Sequence, residues 1–280
     1  MKAVLAALLL QLLSNVAAAG PVVIDGPPGS QLAPGPSPAV SEDPPVRPSV
    51  PAQPTPVKLH GLELRQLAVA SNRGLITSTA VTVPEGKVEV TLQAVIPFVG
   101  MVGLNAGITK STELWVDGAT TINNESGSDS ETAYGIGVKQ VLLRGGNASF
   151  ALTGSVRKLS SGFSSGDGWR SLGAVGSLCS DDSCNLMISG GVQRLFGFRH
   201  SYDGDSGGSE AVTMVTLNAS LGSGSTRLLL DTVTIDGGTV GFLGLRLGNK
   251  SAAFDLGFAK ALSDQGGAET VPWLGVTGRM

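Results

Sequence analysis

Residues 87–109 read KVEVTLQAVIPFVGMVGLNAGIT. Val88, Val90, Leu92, Ala94 and Ile96 share one parity, and Glu89, Thr91 and Gln93 share the other. Beyond Pro97 the beat resumes, with Val102, Leu104, Ala106 and Ile108 set against Gly103, Asn105 and Gly107. A period of two is the mark of a half-buried strand, because successive side chains leave opposite faces of a pleated backbone. Residues 90–109 carry no charge and are long enough to cross a bilayer as a helix. Gln93, Pro97, Asn105 and the glycines at 100, 103 and 107 fit a hairpin better than such a helix.

The same beat returns down the chain. Ala148, Phe150, Leu152 and Val156 alternate with Ser149, Thr153, Ser155 and Arg157; Leu186, Ile188 and Val192 alternate with Asn185, Ser189 and Gln193. Leu243, Leu245 and Leu247 oppose Phe242, Gly244 and Arg246, and Phe254, Leu256 and Phe258 oppose Asp255 and Gly257. Twelve strands are expected, at about 87–97, 100–109, 112–122, 132–144, 147–158, 168–179, 185–197, 210–221, 226–236, 239–248, 251–262 and 271–280. Soluble strands average five or six residues, whereas a tilted bilayer crossing needs about 9–11. An even strand number also suits a single-chain bacterial barrel.

The connections alternate in kind. NNESGSDSE, LSSGFSSGD, RHSYDGDSGGS and SDQGGAET are long and polar, while TKST, RGGN, CSDDSC, GSGS and GNKS are short. Two connections on the long side, around Pro97–Gly100 and Asp236–Gly238, are themselves brief. Long external loops and short periplasmic turns are the asymmetry of an outer-membrane barrel. The expected fold is therefore all-β: a transmembrane antiparallel up-and-down β-barrel of twelve strands over residues 86–280, preceded by a proline-rich disordered spacer.

Composition agrees with that expectation. Charged residues are 15% and hydrophobic residues 41%, so the chain is neither a polyelectrolyte nor an ordinary charged soluble domain. The 40 glycines follow no three-residue period, which excludes collagen. With a net charge of -3 and no basic run, no nucleic-acid partner is expected.

Residues 1–19 read as a secretory signal peptide, with Lys2, an apolar run from Ala3 to Leu13 and a small-residue exit ending in Ala17-Ala18-Ala19. Residues 20–57 hold most of the prolines and read as an extended spacer in the periplasm. Residues 58–85 form a transition whose HGLELRQLAVA is open between a short helix and a strand.

On the face opposite the aliphatic residues, the lumen-facing candidates are Glu89, Asp117, Lys139, Arg157, Asp231, Arg246, Asp255 and Arg279. Both signs occur, so a salt-bridged plug and a conducting lumen both remain open. Trp115, Tyr134, Trp169, Phe196, Phe198 and Trp273 lie near strand ends and are the material for an aromatic girdle. Cys179 and Cys184 bracket a four-residue turn and, in an exported chain, are expected to form a disulfide clipping a hairpin.

Chemistry finds little support. His200, Ser201, Asp203 and Asp205 sit in a Gly/Ser-rich loop with no rigid scaffold, and the acids of YDGDSGGSE read as a solvated loop. Gly145-Gly146 and Gly190-Gly191 lack the lysine and helix of a phosphate site. No catalytic residues, metal or cofactor are expected.

The lead-in TSTAVTVPEGKVEVTLQ (77–93) and the later GITKSTELWVDGA (107–119) resemble the start of bacterial outer-membrane β-barrel proteins of porin-like architecture. The resemblance spans roughly residues 75–158 and implies a barrel in the outer membrane with no catalytic residues to carry over. The last strand departs from that pattern: Leu274, Val276, Gly278 and Met280 point one way, but the terminal residue is Met in place of an aromatic. The function expected is a structural or passive-diffusion role. Its partners would be outer-membrane lipid, transiently the barrel-assembly machinery, and small polar solutes. A secreted or surface β-sandwich or solenoid adhesin is the alternative.

Overall fold

Alternation over 8 to 14 residues gives each strand one greasy and one mixed face, and a sheet with such faces can lose its exposed edges by closing on itself. The computed structural model describes residues 61–71, 73–96, 99–121, 132–160, 168–197, 211–222, 224–235, 238–262 and 270–280. A short helix, α1 (Gly61–Ala68), precedes twelve strands: β1 (Val88–Val95), β2 (Val99–Gly107), β3 (Thr112–Thr121), β4 (Thr132–Gly145), β5 (Ala148–Ser160) and β6 (Gly168–Cys179). They continue with β7 (Leu186–Phe196), β8 (Val212–Leu221), β9 (Thr226–Ile235), β10 (Gly238–Gly248), β11 (Ala252–Ala261) and β12 (Val271–Arg279). Each strand pairs antiparallel with its sequence neighbours, and β1 pairs with β12 to close the barrel. The described residues form neither a sandwich nor a solenoid, because all twelve strands belong to one antiparallel sheet closed on itself.

Closure is made by Glu89↔Arg279 through Val95↔Trp273, and Val88 N and Met280 N each donate to the other residue's carbonyl, at 3.2 and 2.9 Å. That end of the barrel also carries the short turns. In the turn after β2, Ile108 N donates to Thr112 O (2.9 Å); in the turn after β6, Cys184 N donates to Asp181 O (3.0 Å). The signal peptide, the spacer and most of the long polar loops expected at the opposite end lie outside the described residues.

The outer face is aliphatic: Leu92, Val102, Leu152, Leu172, Ile188, Leu217, Leu245, Leu256 and Val276 are all exposed. A belt of that extent is tenable only against lipid tails. The inner face is not uniformly polar. Toward the long-loop end it holds Val95, Val99, Met101, Met214, Val233, Val240, Phe242 and Trp273, packed with Leu75 and Ile76 from the segment before β1.

The described aromatic residues do not form the expected girdle. Trp115, Trp169 and Trp273 are buried inside the barrel, while Tyr134 and Phe196 are exposed; Phe198 lies outside the described residues. Strand parity decides the matter, not nearness to a strand end: Trp273 shares its face with Gly275 and Thr277, and Trp115 shares its face with Glu113 and Asp117. The three indoles fill volume that wall side chains of ordinary size would leave empty.

The transition segment takes a mixed form. Residues 61–68 are helical, and the other described residues of the segment form no strand. Val69, Ala70, Ser71, Gly74–Thr77 and Thr79–Val83 are buried.

Candidate functional site: a re-entrant segment in the lumen

Residues 61–87 enter and leave the barrel at the same end. Leu62 N donates to Gly146 O (3.3 Å) and Ala70 N to Asn249 O (2.8 Å), both in short turns, so α1 and its exit lie at the short-turn mouth. The segment then turns back on itself at Gly74–Thr77, where Gly74 N donates to Thr77 O (3.1 Å). It returns to the same mouth, where Gly86 N donates to Gly107 O (2.8 Å), and at φ +71° Gly86 turns the chain into β1. Gly74 is required at the tip: a Cβ there would lie 2.4–2.5 Å from the Asp231 carboxylate oxygens and 2.5 Å from Thr77 Oγ1.

A backbone that joins no sheet and is shielded from water must find other partners for its amides and carbonyls. Here the wall provides them. Amides are accepted by side chains: Ser71 N donates to Glu89 Oε1 (3.0 Å), Ile76 N and Thr77 N to Asp231 Oδ2 (2.9 and 3.1 Å), Ala80 N to Ser177 Oγ (2.8 Å), and Val83 N to Glu113 Oε2 (2.9 Å).

Carbonyls receive side-chain donors in the same way. Arg279 donates to Gln66 O and Val69 O (both 2.9 Å), and Arg246 donates to Ser71 O (2.9 Å), Arg73 O (2.6 Å) and Gly74 O (3.3 Å). Gln93 donates to Leu75 O (3.0 Å), Lys139 to Thr79 O (3.3 Å) and Val81 O (2.8 Å), and Ser149 to Ala80 O (3.2 Å).

The charges that do this are themselves paired across strands. Glu89 faces Arg279 (2.6 Å), Arg246 faces Asp255 (2.6 Å), and Lys139 faces Glu113 (3.1 Å), each pair directly opposite in register. Glu113 also takes Arg73 of the segment at 2.9 Å. Arg157 reaches Asp117 past Gly135, where a Cβ would stand 2.6 Å from Arg157 Cγ and 2.7 Å from Asp117 Oδ1. Asp231 makes no ion pair among the described residues; it is held by the two amides, by Thr77 Oγ1 (3.0 Å) and by Asn218. The eight charged residues named from the sequence are thus all placed on the inner wall. Glu89, Lys139, Asp231, Arg246 and Arg279 bind the segment's backbone directly, whereas Asp117, Arg157 and Asp255 serve the wall's own pairs.

Strand parity alone would also have offered Glu113, in step with Asp117, and Arg227, in step with Asp231. Arg65 and Arg73 had no such signal, because the segment has no period.

The disulfide Cys179–Cys184 closes the turn between β6 and β7, with Cα atoms 4.8 Å apart. Both cysteines are buried in one cluster with Leu62 of α1, Val81 of the returning arm and Met187. The clip therefore shapes the wall against which the helix docks. Two cavities beside the segment, one lined by Leu62, Gln66 and Ser149 and one by Ser78, Thr153 and Gln193, are each about the size of a single water molecule. Among the described residues no group of three or more His, Cys, Asp or Glu side chains is placed to hold a metal ion.

No protein-family model matches the chain, and no curated protein matches its sequence. Among solved structures, the chain is similar to "KdgM porin", with a TM-score of 0.52, 9% identity, and coverage of 69% of this chain and 98% of that one. It is likewise similar to "KdgM porin in complex with disordered oligogalacturonate", with a TM-score of 0.51 at the same identity and coverage. Likeness at that identity concerns the fold.

Proposed function

We propose that this chain is an outer-membrane barrel for passive passage of small polar solutes, closed in the described state by its own residues 61–86. The observation that carries the reading is the segment itself, which fills the lumen from the short-turn mouth to an apolar ring and is bound by the wall along its whole length. At the tip, Leu75 and Ile76 sit in the ring that includes Val95, Met101, Met214, Phe242 and Trp273. Below the ring the wall carries the paired charges and the serines that bind the segment, beside smaller apolar clusters around Val175 and Met187. Withdrawal of the segment would leave a hydrophobic constriction above a hydrated vestibule, an arrangement that gates by wetting and needs no chemistry.

The outer-membrane location is supported by the aliphatic belt, the even strand number and the short turns. Leu62 and Met280 both lie at the short-turn mouth, which supports a periplasmic spacer as part of this reading. Lipid would contact the belt, and the barrel-assembly machinery would meet β12, whose outward residues include Leu274 and Val276.

Planar-bilayer recording tests the reading. The full chain is expected to be silent or to open rarely, and a variant with residues 61–83 replaced by a Gly/Ser stretch is expected to conduct steadily. A correctly folded variant that stays silent at all voltages would leave only a structural role.

A further inference from the structure

α1 brings Arg65 to the wall where β8 meets β9. Its Nη1 donates to Cys184 O (2.8 Å) and its Nη2 bonds Ser220 Oγ. Ser220 stands opposite Leu229, and Arg227 is the next inward residue along β9 toward the 222–225 turn. Arg227 in turn stands directly opposite Arg246 on β10. Three guanidiniums therefore crowd one side of the short-turn mouth, and like charges in direct register repel.

Only one of the three is compensated. Arg246 holds Asp255, but neither Arg65 nor Arg227 pairs with a carboxylate among the described residues. Arg227 is the stronger case. It is 4% exposed, its Nε has no partner, and none of its nitrogens makes a hydrogen bond among the described residues. The Nε of Arg65 is likewise buried and unpartnered. Burial, followed by the nearby charges of Arg227 and Arg246, pushes the Arg65 guanidinium below the usual arginine range. A buried cation without counter-charge is costly, and guanidinium forks are matched to oxyanions.

We infer that Arg65 and Arg227 form an anion site at the short-turn mouth, taking a small oxyanion such as inorganic phosphate or a carboxylate between the helix and the wall, beside the Ser220 hydroxyl. The site exists only while α1 is docked, because half of it belongs to the helix. Its occupant therefore favours the closed state by mass action. This goes beyond the passive-diffusion reading, and it is testable without any measurement of conductance.

The test uses the full chain, folded in detergent micelles in low-salt buffer free of phosphate, with heat-modifiable gel mobility reporting unfolding. Inorganic phosphate is expected to raise the unfolding temperature saturably, above a potassium chloride control of equal ionic strength. Arg227→Gln and Arg65→Gln should each weaken the response by about tenfold or more. Without anion, Arg227→Gln should unfold at a higher temperature than the parent, since it removes an uncompensated charge. Acetate in a parallel titration separates the sources: a response to either anion supports the site and tells which chemistry it prefers. A response to neither overturns it. So does equal stabilisation of the parent and Arg227→Gln, or an Arg227→Gln variant that is less stable without anion.

Discussion

Asp231→Ala is expected to unseat the tip of the re-entrant segment while the barrel remains folded. Asp231 is wholly buried in the middle of β9, and its carboxylate accepts from Ile76 N, Thr77 N and Thr77 Oγ1 at 2.9–3.1 Å. Each hydrogen bond to a charged acceptor contributes about 1.5–3 kcal/mol, so docking of the tip should weaken by several kcal/mol. Leu75 and Ile76 leave the apolar ring together with it. In bilayers the variant should show frequent openings where the parent is silent, and the Ile76 and Thr77 amides should lose protection from hydrogen exchange. Asp231→Asn keeps one oxygen acceptor and should fall between the two. Exchange rates unchanged in Asp231→Ala would mean that the carboxylate does not hold the segment.

Arg246→Met has a second large effect, of different origin. Arg246 is buried, bonds Asp255 at 2.6 and 2.9 Å, and caps the carbonyls of Ser71, Arg73 and Gly74. Removing it strands Asp255 as a buried charge, which typically costs about 3–5 kcal/mol. The variant should therefore lose barrel stability as well as segment docking. Arg246→Met combined with Asp255→Leu separates the two roles. The apolar replacement restores the wall, since such swaps are often neutral or stabilising, but it leaves three segment carbonyls without donors. The double variant should match the parent in resistance to heat-induced mobility change and still open frequently in bilayers. If it is as silent as the parent, the arginine serves the wall alone.

These two residues also show what the sequence could and could not disclose. Parity placed Asp231 and Arg246 on the face opposite Leu230 and Leu245, and the same parity located all twelve strands to within about two residues at most ends. Alternation is a local property, written in neighbours two positions apart. The girdle expectation for Trp115, Trp169 and Trp273 fails because it weighs position near a strand end above parity. Each of the three falls on the inward beat of its own strand.

The segment is a different matter. VASNRG and LITSTAVTV have no period, because the backbone of their described residues pairs with no strand and is bound by side chains from β1, β3, β4, β5, β6, β9, β10 and β12. The bonds from Arg246 join residues 172–175 positions apart. A partnership of that range leaves no trace in either stretch alone. Gly74 is the one local sign, and its meaning depends on Asp231, which no window around it contains.

A cross-link reports whether residues 61–86 occupy the lumen. Ala80 N lies 2.8 Å from Ser177 Oγ, between the returning arm and β6. The full chain carrying Ala80→Cys and Ser177→Cys, in outer-membrane vesicles, should oxidise to an intramolecular disulfide between the two positions in nearly every molecule. Before oxidation, both introduced thiols should resist a membrane-impermeant thiol reagent. Two free thiols that never join, with the one at position 80 readily labelled from the aqueous phase, would place the segment outside the barrel.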